Sequence, residues 1–199
     1  MTLLRNYLVL ILLGISISTA AQGLDSLPQF NADRLQINKV GMTVLGSWAL
    51  GNMAVSGIAL SSSEGVQRSF HQMNVGWNAV NLVIAGFGYY GAISSGTDLG
   101  LAETVQEHES IKRILLFNAG LDMAYMAGGA YLLERAKSDT KRSDQLKGFG
   151  QAVIMNGAFL FVFDLVMYAL HNQHGAQELY PWLDTIQLSA TGVGLQISF

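Results

Sequence analysis

Three amides at helical spacing are the clearest chemistry in this chain. Asn74, Asn78 and Asn81 stand at i, i+4 and i+7 inside an otherwise apolar stretch, 70–91. That spacing places all three on one face of a helix. A second stretch, 117–131, repeats the layout with Asn118, Asp122 and Tyr125, and Gly120 stands where the first has Gly76. Asn52, Asn156 and Asp164 are further polar residues in apolar surroundings. An amide that faces lipid has no water to bond, so it turns inward to a neighbouring helix. Such bonds set register more than they add stability. A buried carboxylate is harder to accommodate, so Asp122 and Asp164 are expected to be paired, bathed in water or protonated. The seam has two readings: glue between helices, or a polar path for protons, ions or a small solute.

The four histidines offer less. His171 and His174 are at i, i+3, a spacing compatible with one metal ion, and His108 lies near Glu103 and Glu107. Nothing completes a ligand set, so they read as histidines at helix ends by the membrane interface, and no metal or cofactor is expected. No hydrolase elbow, phosphate loop, zinc-protease motif or dinucleotide fingerprint occurs, and no catalytic residue is assigned. An enzyme is not expected.

The elements that must position the seam follow from composition. Half of the 199 residues are hydrophobic and 13% are charged, and the mean hydropathy is +0.32. Those values suit a multi-span membrane protein better than a soluble domain. Glycine is frequent, at 22 residues, and proline rare, at 2; small residues let helix backbones meet in lipid. Pairs such as Ser47/Gly51 and Ala124/Gly128 are candidate close-packing sites. The net charge of −3 without a basic block argues against nucleic acid. The absence of cysteine excludes disulfides, thiol nucleophiles and a lipoprotein anchor.

Residues 1–22 read as a cleaved secretory signal, with Arg5 before an apolar run and small residues at 18–22. Residues 23–37 read as a polar linker leading into the first helix, with Asn31 as its cap. A four-helix transmembrane domain is expected over 38–174, with spans at 38–61, 70–93, 112–135 and 148–171. Each is long enough to cross about 30 Å of hydrocarbon. Residues 99–110 are expected to extend the third helix outside the lipid, and Ser143 to cap the fourth. The short 62–69 connection makes the first two spans an antiparallel hairpin. Basic residues gather in 62–69 and 134–147, the sides expected to face the cytoplasm. Matching depths at about 1.5 Å per residue gives three rungs: Asn52–Asn78, Asn81–Asp122 and Asn118–Asp164.

The tail, 175–199, breaks the helical pattern. Val193, Leu195, Ile197 and Phe199 alternate with small or polar residues, which is strand period. It reads as a short strand packed on the bundle. A terminal Phe also resembles the closing strand of an outer-membrane barrel, which keeps an outer-membrane location as the alternative to a multi-pass inner-membrane one.

The stretches GMTVLGSWALGNM, 41–53, and FHQMNVGWNAVN, 70–81, resemble a family of uncharacterised multi-span proteins from the Bacteroidota. That resemblance implies fold and lineage, and no activity. The expectation is an all-α, antiparallel four-helix bundle in the bacterial cell envelope. It would act as a structural or partner-binding membrane component, with the bilayer, a second copy or another membrane protein as partner. The alternative is a small transporter or proton-coupled channel using the Asn/Asp seam.

Overall fold

Long apolar runs without internal breakers dictate long helices, and four of them dominate the computed structural model. It describes the backbone of residues 2–183, 186–189 and 192–195, and the side chains of 26–181 and 183. Helix α1 spans Thr2–Ala59, α2 Gly65–Ser94, α3 Leu101–Arg135 and α4 Ser143–His174. A π-helical turn, Gly175–Leu179, and a short helix α5, Tyr180–Leu183, continue α4. Strands β1, Ile186–Ser189, and β2, Gly192–Leu195, pair antiparallel with Ile186 opposite Leu195 and Ser189 opposite Gly192.

The all-α architecture and its four helices match expectation, including the extension of α3 ahead of residue 112. Three boundaries differ. Residues 23–30 are not a linker: α1 runs through Pro28 without a break, and Asn31 sits inside it. Leu27 and Phe30 explain the continuation, because both are buried against Leu179, with Leu101 and Val105 packed beside them. Burial of that apolar pair outweighs the one backbone hydrogen bond a proline removes. Ser143 is the first residue of α4 rather than its cap; Arg142 holds the cap position and makes no side-chain capping bond. The tail strand is one arm of a hairpin, so Val193 and Leu195 have a paired strand beside them. Ile197 and Phe199 lie outside the described residues, as do the side chains of 1–22, the stretch expected to be a signal.

Helix α1 packs along α2, α2 along α4, and α4 along α3. Gly65, at φ +52°, starts α2 in a left-handed conformation that favours glycine. The close approaches fall at glycines other than those expected. A Cβ on Gly129 would lie 2.8 Å from the Gly150 carbonyl oxygen, and one on Gly150 would lie 2.7 Å from that of Gly129. A Cβ on Gly148 would lie 2.5 Å from the Phe70 amide nitrogen of α2. Gly51 and Gly128 face open space. The α3–α4 crossing therefore sits one residue away from the Ala124/Gly128 pair, on the next face of the helix.

Helices α2 and α3 barely touch, and the cleft between them reaches the middle of the bundle. A small apolar cluster, Leu45, Ala85, Leu115, Phe163 and Met167, ties the four helices together there. The distribution around it inverts that of a soluble bundle. Asn74, Asn78, Asn156, Asp122 and Asp164 are buried, whereas Ile58 is 77% exposed, Phe87 75% and Phe117 67%. Two helical stretches, Ser26–Ala59 and Ser143–Leu179, are long and apolar enough to cross a membrane.

Candidate functional site

The seam forms where α1, α2 and α4 meet. Asn74 Nδ2 donates to Ser56 Oγ at 2.7 Å and to Asn52 Oδ1 at 3.2 Å. Asn78 Nδ2 donates to Asn156 Oδ1 at 2.9 Å and to the Asn74 carbonyl and Oδ1. Asn156 Nδ2 returns a bond to Asn74 Oδ1 at 2.8 Å and bonds its own helix at the Ala152 carbonyl. Three amides from two helices thus close a ring of bonds. Ser56 Oγ carries it onward to His71 Nδ1, 3.1 Å away. Trp48 covers the outside, stacked on Phe159 at 3.9 Å between ring centroids.

The face is the one the spacing indicates, but the rungs differ. Asn52 meets Asn74, one turn short of Asn78. Antiparallel pairing is counted from the 60–64 turn, and that turn makes Asn52 and Asn74 nearly equidistant from it. Asn78 meets Asn156 because α2 lies along α4. Asp122 does not pair with Asn81, nor Asp164 with Asn118. Asp122 and Asp164 instead interact directly with each other across the α3–α4 crossing. Depth matching paired helices by sequence order, and the bundle does not follow that order.

Asn81, Asn118, Asp122 and Asp164 instead line the α2–α3 cleft, a cavity of about 750 Å³. Its walls are apolar, with Val83, Ile84 and Phe87 on α2 and Ile114 and Leu121 on α3. Trp77 and Tyr125 cross it edge to face at 5.0 Å. Two buried polar atoms on its lining have no hydrogen-bond partner among the described residues: Asn81 Nδ2 and Asp122 Oδ2.

A second polar layer, at the end of the bundle where α3 begins and α4 ends, escaped the sequence reading. His108, His171 and His174 are buried, not interfacial, and the His108 ring lies 6.3 Å from each of the other two. His171 Nε2 is 2.8 Å from Asn38 Oδ1, and His174 Nε2 is 3.0 Å from the Phe30 carbonyl. Asn31 Nδ2 donates to Thr104 Oγ1 at 2.8 Å and to the Thr97 carbonyl. Buried Arg34 approaches Glu107 at 3.7 Å. Lys112 donates to Tyr180 Oη at 2.6 Å, and Tyr180 donates to Glu109 at 2.7 Å. The Tyr180 hydroxyl holds the Glu109 carboxyl below its usual range. Burial, reinforced by nearby Lys112, pulls the His108 imidazole down to about 4. Neither ring nitrogen of His108 has a partner among the described residues. Among the described residues no three His, Asp or Glu side chains are grouped to hold a metal ion. One signal could have found this layer: Thr104, His108, Lys112, Leu115, Ala119 and Asp122 form one helical stripe, all buried.

Among the described residues the geometry offers hydrogen-bonding chemistry. A family model described as a family of unknown function (DUF6992) matches residues 44–165, which take in all of α2 and α3 and the seam. No curated protein and no solved structure matches the chain.

Proposed function

We propose that this chain, which belongs to the DUF6992 family of unknown function, is a multi-pass inner-membrane protein that works by binding within the bilayer rather than by catalysis. The inverted distribution carries this reading: amides and carboxyls inside, Ile58, Phe87 and Phe117 outside. In water such a surface would drive aggregation; in lipid it is the stable arrangement. Among the described residues α2 and α3 carry no stretch that meets the same measure of length and apolarity as those of α1 and α4, for a specific reason. Their polar residues line the seam, and the first turns of α3 carry Glu103, Glu107 and Glu109. The 136–142 connection carries Lys137, Lys141 and Arg142, which supports placing it on the cytoplasmic side. Alkaline carbonate washing of membranes from expressing cells tests the reading. The protein should stay in the pellet; release into the supernatant would contradict integral insertion.

The carboxyl pair supports a second reading, a small proton-coupled transporter. Asp122 and Asp164 share the lining of one cleft and interact directly, the arrangement from which a proton can be handed to a solute. If Asp122→Asn and Asp164→Asn proteins fold, insert and support the native phenotype fully, transport loses its basis.

A further inference from the structure

We propose that the α2–α3 cleft is a binding site for a neutral single-chain lipid with a hydroxyl headgroup, entering sideways from the bilayer. This rests on the membrane reading above. The cleft volume of about 750 Å³ lies within the range of small-molecule sites. Its walls are aliphatic and aromatic, suited to an acyl chain. Its polar groups are few, and two of them, Asn81 Nδ2 and Asp122 Oδ2, are buried without a partner among the described residues. Both residues are at least nine-tenths buried, with 5% and 3% of their surface exposed. A buried donor and a buried acceptor left unpaired in one lining call for a guest that both accepts and donates.

The chemistry selects the headgroup. A hydroxyl can both accept from the amide and donate to the carboxyl, and it serves either orientation of the Asn81 amide. A carboxylate head would meet the Asp122–Asp164 pair as a like charge. A choline head would place a permanent cation with no donor there. A helix from a second copy is a poorer guest, because its backbone groups are already bonded internally and only a side chain could reach Asn81 and Asp122. The apolar cavity between α1 and α4, about 430 Å³ and beside Phe159, has no such unpaired group on its lining. It is an internal control.

Tryptophan quenching reads both cavities in one protein. Trp77 lines the cleft, and Trp48 stacks on Phe159 at the control cavity. The full chain is prepared in bilayers with Trp77 alone (Trp48→Phe, Trp182→Phe) or Trp48 alone (Trp77→Phe, Trp182→Phe). The probes are dibrominated octadecanol and its methyl ether, which lacks the hydroxyl proton. The alcohol should quench Trp77 at about tenfold lower mole fraction than the ether, the ratio a buried hydrogen bond supplies. Trp48 should not distinguish the two. Asp122→Leu should erase the preference at Trp77, whereas Asn81→Leu should weaken quenching by both probes alike and leave the preference in place. Equal quenching of Trp77 by alcohol and ether would overturn the proposal while leaving the membrane reading intact. So would exclusion of both from Trp77 with crosslinking of two copies through the cleft. Failure of either probe to quench either tryptophan would sink the membrane reading itself.

Discussion

Replacing Asn156 by leucine tests the amide ring at its hinge. Asn156 accepts from Asn78 at 2.9 Å and donates to Asn74 at 2.8 Å, and these are the bonds that tie α4 to α2 through the ring. Leucine has nearly the same size and removes both. Asn78 keeps its bonds to Asn74, so the damage is confined to the interhelical pair. Interhelical bonds in membrane proteins average about 0.6 kcal/mol net and reach about 1.7. Two of them, with Asn74 Oδ1 keeping one donor, give an expected loss of about 1–2 kcal/mol, or roughly 5–30-fold in the folding equilibrium. Asn118 makes no hydrogen bond to another helix among the described residues, so Asn118→Leu is the matched control, with about zero expected. Reversible unfolding in mixed micelles measures both. A double-mutant cycle of Asn74→Ala with Asn156→Leu should return a coupling of about 1 kcal/mol. If Asn156→Leu is as stable as the parent, or more stable, the ring is not what holds α4 to α2.

Other outcomes follow from the packing and the buried histidines. Gly129→Ala and Gly150→Ala should each destabilise by about 1–3 kcal/mol through overpacking of the α3–α4 crossing, whereas Gly128→Ala, facing open space, should be neutral or slightly stabilising in thermal denaturation. Gly175→Ala should be destabilising because its Cβ would run into the His108 ring, and His108→Ala in the same chain should restore most of the loss. Burial lowers the His108 pKa to about 4 from an ordinary value near 6.5, so its neutral form belongs to the folded state. Stability tied to this group is complete above pH 6.5 and declines as pH falls toward 4. Unfolding midpoints measured across that window should therefore fall with acidification, and His108→Gln should flatten the decline.

Local periodicity carried much of the fold. The i, i+4, i+7 amides of α2 share one buried face, and four apolar runs of span length gave four helices. What it could not carry was which helix lies beside which. Asn78 and Asn156 are far apart in the chain, and no spacing within α2 indicates that α4 is its partner. Asp122 and Asp164 both stand out in the sequence, yet depth alone matches each with an amide rather than with the other carboxyl. Like-charged groups are not expected to meet unless they share a proton. The polar 23–30 stretch misled for a related reason. Its helical state depends on burying Leu27 and Phe30 against Leu179, a contact from the far end of the chain. The histidines stand at the ends of apolar runs, which suggests interfacial positions, but α3 and α4 remain packed beyond those ends and bury them.

The native chain has no cysteine, which makes single-cysteine labelling in intact cells the most direct test of the inverted bundle. Cysteines placed one at a time at Phe87, Phe117 and Val162 on the outward apolar faces, and at Ser62 and Thr140 in the connections, are treated with a water-soluble maleimide after permeabilisation. Labelling should be fast at Ser62 and Thr140 and at least tenfold slower at the three outward positions, where lipid excludes the reagent. Equal labelling at all five positions would contradict a bilayer-spanning bundle with its polar seam inside.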